Sequence, residues 1–194
     1  MPAGSLSGAS RGIDRLLEVM QRLRDPQSGC PWDLAQDFKT IVPHTIEEAY
    51  EVADAIETGD DVGLRDELGD LLFQVVFYAQ LASEEDRFDF DDIAGAHADK
   101  MIARHPHVFD RENSDQNIDV PNMWEQKKAD ERAAKAKELG QAQPSVLDGV
   151  IGGLPATTRA LKLQKRAARV GFDWPKLSQV IDKVDEEIIE FKEL

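Results

Sequence analysis

The fold is decided by two short acidic motifs, E-E-A-Y-E at residues 47–51 and E-L-G-D at residues 67–70. On a helix of 3.6 residues per turn, Glu47 and Glu48 each lie about one turn from Glu51. Glu67 and Asp70 are spaced in the same way. Each motif therefore predicts a pair of carboxylates on one face of a helix.

The residues between the motifs predict a tight connection. Gly59 suits the left-handed position that ends a helix, and the aspartates that follow it suit the N-cap of the next helix. A short link of this kind predicts an antiparallel helical hairpin. Apolar residues at helical spacing predict a buried stripe on each helix. These residues are Ile46, Ala49, Val52, Ala53 and Ile56 on the first helix, and Leu64, Leu68, Leu71, Leu72, Val75 and Val76 on the second.

Convergence of the two acidic motifs predicts a metal site. Two unit charges about 5 Å apart repel by roughly 3 kcal/mol at an effective dielectric constant near 20, so several such pairs need a cation between them. Ligands that are all oxygen favour Mg²⁺, with Mn²⁺ as the alternative. Two other interpretations stay open: a solvated acidic surface, and a capping box formed by Thr45 and Glu48, which would occupy one of the carboxylates.

Composition narrows the classes of protein. A formal net charge of -15 argues against proteins that bind duplex nucleic acid or anionic membranes, because both need a basic surface. Cys30 is the only cysteine, so no intrachain disulfide is possible and a reducing, cytoplasmic location is expected. Residues 1–12 lack the apolar run of a secretory signal or membrane span, and we expect a disordered tail.

Two further predicted helices carry cations. Lys100 and Arg104 lie one turn apart on one of them, and Trp124 and Lys128 lie one turn apart on a later one. Taken singly, such side chains usually face water. Together with a carboxylate-bound metal, they supply what a nucleoside triphosphate needs: cations for the phosphates and a ring that stacks on the base. The sequence has no G-x-x-x-x-G-K motif, which excludes a P-loop mechanism.

With C-P-W-D at residues 30–33 and H-P-H-V-F at residues 105–109, the acidic motifs resemble the MazG family of nucleoside triphosphate pyrophosphohydrolases. The likeness runs from about Ile13 to the end of the chain. It implies an all-α fold, a helical bundle whose four-helix core is completed by homodimerisation. It also implies Mg²⁺-dependent cleavage between the α and β phosphates, which gives a nucleoside monophosphate and pyrophosphate.

The resemblance also implies roles for individual residues. The expected metal ligands are Glu48, Glu51, Glu67 and Asp70. Beside them, Glu47 is our candidate for orienting or deprotonating the attacking water. The triphosphate is expected to contact Lys100, Arg104 and Lys128, and the nucleotide also Trp124.

The chain contains a second, shorter copy of the same order of motifs. We expect a MazG-like domain at residues 13–139, a linker at 140–153, and the start of a second repeat at 154–194. The second copy ends with E-E-I-I-E at residues 186–190, without a following E-x-x-D, so we expect a truncated repeat.

Two alternative functions follow. The chain could bind nucleotides, or only dimerise, as a scaffold for a missing catalytic repeat. A di-iron carboxylate bundle is disfavoured because such bundles place histidine in E-x-x-H pairs, whereas Glu51 and Asp70 occupy the fourth positions here.

Overall fold

The computed structural model describes residues 11–110, 119–138, 140 and 145–193, and no β-strand occurs within these ranges. The all-α prediction is confirmed. The chain divides into two compact units, residues 1–116 and 117–194. None of the described helices combines the length and apolar character needed to cross a membrane. The predicted tail at residues 1–12 lies mostly outside the described residues, and Gly12 already begins a helix.

The first unit is a succession of four longer helices and two single turns. They are α1 (Gly12–Leu23), α2 (Pro31–Leu34), α3 (Phe38–Thr58), α4 (Asp61–Glu84), α5 (Phe90–Arg104) and α6 (Pro106–Phe109). The second unit contains α7 (Val120–Glu138), α8 (Ala156–Ala168) and α9 (Leu177–Lys192).

The hairpin between α3 and α4 forms as predicted. Gly59 ends α3 in the left-handed conformation, with φ at 72°, and the Asp60 carboxylate caps α4 by accepting from the amides of Val62 and Gly63. Further along the hairpin, the hydroxyls of Thr45 and Tyr78 lie 2.9 Å apart and join the two helices. The acidic motifs therefore lie on neighbouring antiparallel helices.

The first helix of the hairpin begins earlier than the sequence suggested. Its N-cap is Asp37, whose carboxylate accepts from the Lys39 and Thr40 amides, and Pro43 lies inside the helix. Thr45 bonds back to the Ile41 carbonyl instead of capping an end. The predicted capping box of Thr45 and Glu48 is therefore wrong, because seven residues of helix precede Thr45. The Glu48 carboxylate has no capping role.

A small apolar core holds α1 against the hairpin. It consists of Met20, Ile41, Val76, Phe77 and Leu81, all buried. The charged side chain of Arg24 is buried at its edge, against the Phe77 ring. The Arg24 guanidinium donates to both oxygens of Glu84, at 2.8 and 2.6 Å, and also to the backbone carbonyl of Asp33. This contact fastens the α2 turn to the end of α4.

Burial of the predicted apolar stripes is only partial. Val76 is buried, but Ile56 is 61% exposed and Leu68 is 48% exposed, and Ile46 and Leu72 are also exposed. Within the described part of the first unit, α4 is the main helix that packs on α3. Two helices alone cannot cover each other's apolar surface on more than one side, so the single chain leaves part of each stripe exposed.

Candidate metal centre

Three carboxylates from the two helices of the hairpin converge. Glu48 on α3 and Glu67 and Asp70 on α4 each place one carboxylate oxygen within 4.8 Å of the others. The antiparallel arrangement produces this meeting, because it sets the second half of α3 opposite the first half of α4. Glu48 and Glu67 are partly buried, whereas Asp70 is exposed.

The electrostatics of this cluster reflect mutual repulsion. Burial raises the pKa of Glu48, and the charges of Asp70 and Glu51 raise it further. Burial also raises the pKa of Glu67, and again Glu51 and Asp70 add to the effect. Glu51 lies outside the group of three but is close enough to act on both of these residues. Four acids therefore share one electrostatic environment.

A cationic side chain does not relieve this repulsion. Across residues 11–110, neither Lys nor Arg forms an ion pair with Glu48, Glu51, Glu67 or Asp70. Arg65, which is near in sequence, pairs instead with Asp66 at 3.1 Å. The described part of the unit therefore leaves the negative charge of the cluster uncompensated.

The donor set fits a hard divalent cation. Mg²⁺ and Mn²⁺ take oxygen ligands, and an ion with oxygens about 2.1 Å away holds them at most about 4.2 Å apart. The oxygens of Glu48, Glu67 and Asp70 already lie within 4.8 Å of one another. Small side-chain rotations would bring them to ligand distance, without any movement of the helices.

Glu47, the predicted base, is not part of this group. Its side chain is 65% exposed, and its carboxylate lies 3.9 Å from Nδ1 of His44, one turn earlier on α3. Glu47 directly precedes the cluster residue Glu48 on α3. Its role in catalysis stays a prediction.

The predicted substrate contacts fall in two different units. Lys100 and Arg104 lie near the end of α5, in the same unit as the acids. Trp124 and Lys128 lie on α7, in the second unit, where the Lys128 ammonium is 3.2 Å from the Glu125 carboxylate. Their joint action on one nucleotide stays a prediction.

One buried polar side chain beside the acids was not predicted. Gln74 lies on α4 one turn after Asp70 and is 8% exposed, and its Oε1 atom is buried without a hydrogen-bond partner. An unsatisfied buried amide oxygen costs about 1–3 kcal/mol. The signal in the sequence was a glutamine within the apolar run of α4, four residues after the second motif.

Comparison with known proteins identifies the family. A family model described as "MazG nucleotide pyrophosphohydrolase domain" matches residues 36–109, which contain both acidic motifs. A protein of Escherichia coli K12 named "Nucleoside triphosphate pyrophosphohydrolase" is 58% identical over 178 residues, which cover 92% of this chain and 65% of the relative. The chain contains a MazG domain. A Thermotoga maritima protein named "Nucleoside triphosphate pyrophosphohydrolase/pyrophosphatase MazG" is 38% identical, covering 93% of this chain and 66% of that one.

The MazG match lies within the first compact unit of the chain. Residues 36–109 include all of α3 to α6, and hence the acidic hairpin together with Lys100 and Arg104. Trp124 and Lys128 lie outside the matched residues. The chain spans 65% of the length of the E. coli relative.

Proposed function

We propose that this MazG chain hydrolyses nucleoside triphosphates to nucleoside monophosphates and pyrophosphate, with Mg²⁺ or Mn²⁺ as cofactor. The observation that carries the proposal is the convergence of Glu48, Glu67 and Asp70 within 4.8 Å, on the hairpin that the family match covers. The names of the E. coli and T. maritima relatives support the same reaction class. A triphosphate substrate and a lone cysteine, Cys30, both fit a cytoplasmic location.

The cation would be held by the two acidic motifs. We assign Glu48, Glu67 and Asp70 as ligands, with Glu51 as a fourth because its charge acts on both Glu48 and Glu67. When bound, a divalent cation neutralises phosphate oxygens, which makes the phosphorus more susceptible to water. No side chain has to act as a nucleophile in such a hydrolysis.

The remaining roles fall to side chains outside this group. Glu47, exposed beside the cluster, would accept the proton of the attacking water. Lys100 and Arg104 on α5 would contact the phosphates, since charge-assisted hydrogen bonds to phosphate are strong. Trp124 and Lys128 on α7 would contact the nucleoside and the phosphates. These assignments follow the family resemblance and await mutagenesis.

The exposed apolar side chains of the hairpin support a homodimer. Ile46, Ile56, Leu68 and Leu72 are all exposed on α3 and α4, although their spacing is typical of a buried helical face. A second copy of the hairpin would cover them and complete a four-helix core. Sedimentation velocity tests this directly: we expect a dimer, and Ile56→Glu should shift it towards monomer.

The activity is tested by product analysis with Mg²⁺. We expect equal amounts of nucleoside monophosphate and pyrophosphate from this 194-residue chain, and no turnover with EDTA. In H₂¹⁸O, attack at the α phosphorus places the label in the monophosphate. Release of inorganic phosphate with a nucleoside diphosphate would contradict the proposal. Absence of any release, with dimerisation retained, would favour a scaffold for another catalytic repeat.

A further inference from the structure

Gln74, one turn after Asp70 on α4, is a buried polar residue of the described structure that the proposed mechanism does not use. Gln74 is 8% exposed, and its Oε1 atom is shielded from solvent and accepts no hydrogen bond within the described structure. Buried polar side chains nearly always have a partner, so an exception calls for an explanation. A missing ligand is one.

Gln74 lies on the same face of α4 as two of the acids. Gln74 follows Asp70 by one turn and Glu67 by two, so the three residues share one face of an uninterrupted helix. Side chains on a helix lean towards its N-terminus and cover the preceding turn. The Gln74 amide therefore leans towards the turn of Asp70. On the other side, Phe77 and Leu81 belong to the apolar core.

A hydrogen-bond donor, or a cation that the oxygen coordinates directly, can satisfy this atom. An amide oxygen accepts and never donates, and ionised carboxylates such as those of Glu67 and Asp70 have no proton to offer. The apolar side chains of Phe77 and Leu81 offer none either. The described structure gives Oε1 no donor, and with Glu48, Glu67 and Asp70 as the direct ligands, a donor that arrives with the bound cation would satisfy it. Mg²⁺ and Mn²⁺ keep several water molecules when carboxylates bind them, and each such water is a donor.

We propose that Gln74 is an outer-sphere residue of the cation site: its Oε1 accepts a hydrogen bond from a water molecule in the hydration shell of the cation that Glu48, Glu67 and Asp70 hold. The inference rests on the proposed cation site and adds to it a positioning residue. Residues of this kind orient the direct ligands and their waters, and their loss weakens metal affinity by about 10–100-fold.

The test is Mn²⁺ binding to the full chain, followed by the electron paramagnetic resonance signal of free Mn²⁺. Gln74→Leu removes the acceptor, and we expect the Kd to rise at least about tenfold. Gln74→Met is closer in length to glutamine and should raise the Kd in the same way. It replaces the leucine variant in this test if that variant folds poorly. Gln74→Glu keeps an acceptor oxygen and should bind Mn²⁺ at least as tightly as the wild type.

A second readout separates a ligand role from a merely structural one. Because the Oε1 atom has no partner in the metal-free protein, Gln74→Leu should leave the Tm without metal unchanged or higher. Gln80→Leu is the matched control. This residue lies on the same helix, and its amide donates to Glu84, away from the cluster. We expect a wild-type Kd for this variant.

Each outcome has a definite meaning. A wild-type Kd in Gln74→Leu overturns the inference, even if the KM for nucleotide changes, since the amide would then contact substrate. An equal loss of affinity in Gln74→Leu and Gln74→Glu also overturns it, because the acceptor oxygen would not matter. If the wild-type chain itself binds no Mn²⁺, the proposed cation site fails first, and the assignment of Gln74 fails with it.

Discussion

Replacing Glu48 by Gln removes one charge from the cluster and should stabilise the metal-free protein. At a separation of 4.8 Å, the repulsion between Glu48 and Asp70 amounts to about 0.9 kcal/mol at the dielectric constant of water and about 3.5 kcal/mol at an effective value of 20. Because Asp70 is exposed, the lower figure applies better, and we expect a gain of about 1 kcal/mol. For a chain of this size that corresponds to a Tm rise of about 2–4 °C.

The pH dependence of this gain identifies its source. The pKa of Glu48 is raised above its ordinary value of 4.5, so the neutral carboxyl favours the folded state. This contribution is fully present below pH 4.5 and is lost as pH rises through the raised pKa. Glutamine resembles the neutral carboxyl. The Tm difference between Glu48→Gln and wild type should therefore be near zero in acid and grow as pH rises towards 7.

Thermal unfolding by circular dichroism, with EDTA and with Mg²⁺, is the assay. Glu57→Gln removes the same charge from an exposed position on α3, so it controls for the general relief of a net charge of -15. Mg²⁺ should raise the Tm of the wild type and of Glu57→Gln. It should raise the Tm of Glu48→Gln much less, because this variant lacks one metal ligand. A Tm for metal-free Glu48→Gln at pH 7 that is equal to or below that of wild type would refute the reasoning.

Three further changes have defined outcomes. Asp70→Asn should abolish pyrophosphate release, while the far-ultraviolet circular dichroism spectrum stays that of the wild type. Full activity of this variant would show that Asp70 is not a required metal ligand. Arg24→Met removes the ion pair with Glu84 and the guanidinium bond to the buried Asp33 carbonyl, while Gln80 still donates to Glu84 and the Gln36 amide to that carbonyl. The free energy of unfolding should fall by about 2 kcal/mol in urea titrations, whereas a loss under about 1 kcal/mol would mean that the pair adds little. Lys128→Ala should raise the KM for nucleoside triphosphate about tenfold and leave the Mn²⁺ affinity unchanged. An unchanged KM would mean that Lys128 does not contact the substrate and only pairs with Glu125.

The sequence predicted those features that depend on local spacing. The turn at Gly59 and Asp60 follows from its cap residues, and the structure has it as predicted. The hairpin then brings Glu48 to Asp70, because an antiparallel pair joined by a short link has little choice of register. Strong local signals were sufficient for these features.

Other features depend on tertiary surroundings, which spacing does not reveal. The start of α3 was misplaced because Pro43 is typical of a first helical turn, yet Asp37 and Thr40 form a better cap before it. At Ile56 the periodicity shows that a helix face is apolar but not what covers it, and in the single chain this side chain is exposed. The sequence marks Gln74 as a polar residue within an apolar run, but whether its amide has a partner depends on its neighbours in space.

The most direct test of the metal centre is an anomalous difference map, measured at the manganese edge from crystals grown with Mn²⁺. We predict a strong peak between α3 and α4, bounded by the carboxylates of Glu48, Glu67 and Asp70, with Glu51 beside it. Well-ordered crystals in which these side chains diverge into solvent, with no anomalous peak among them at saturating Mn²⁺, would contradict a metal centre in this hairpin.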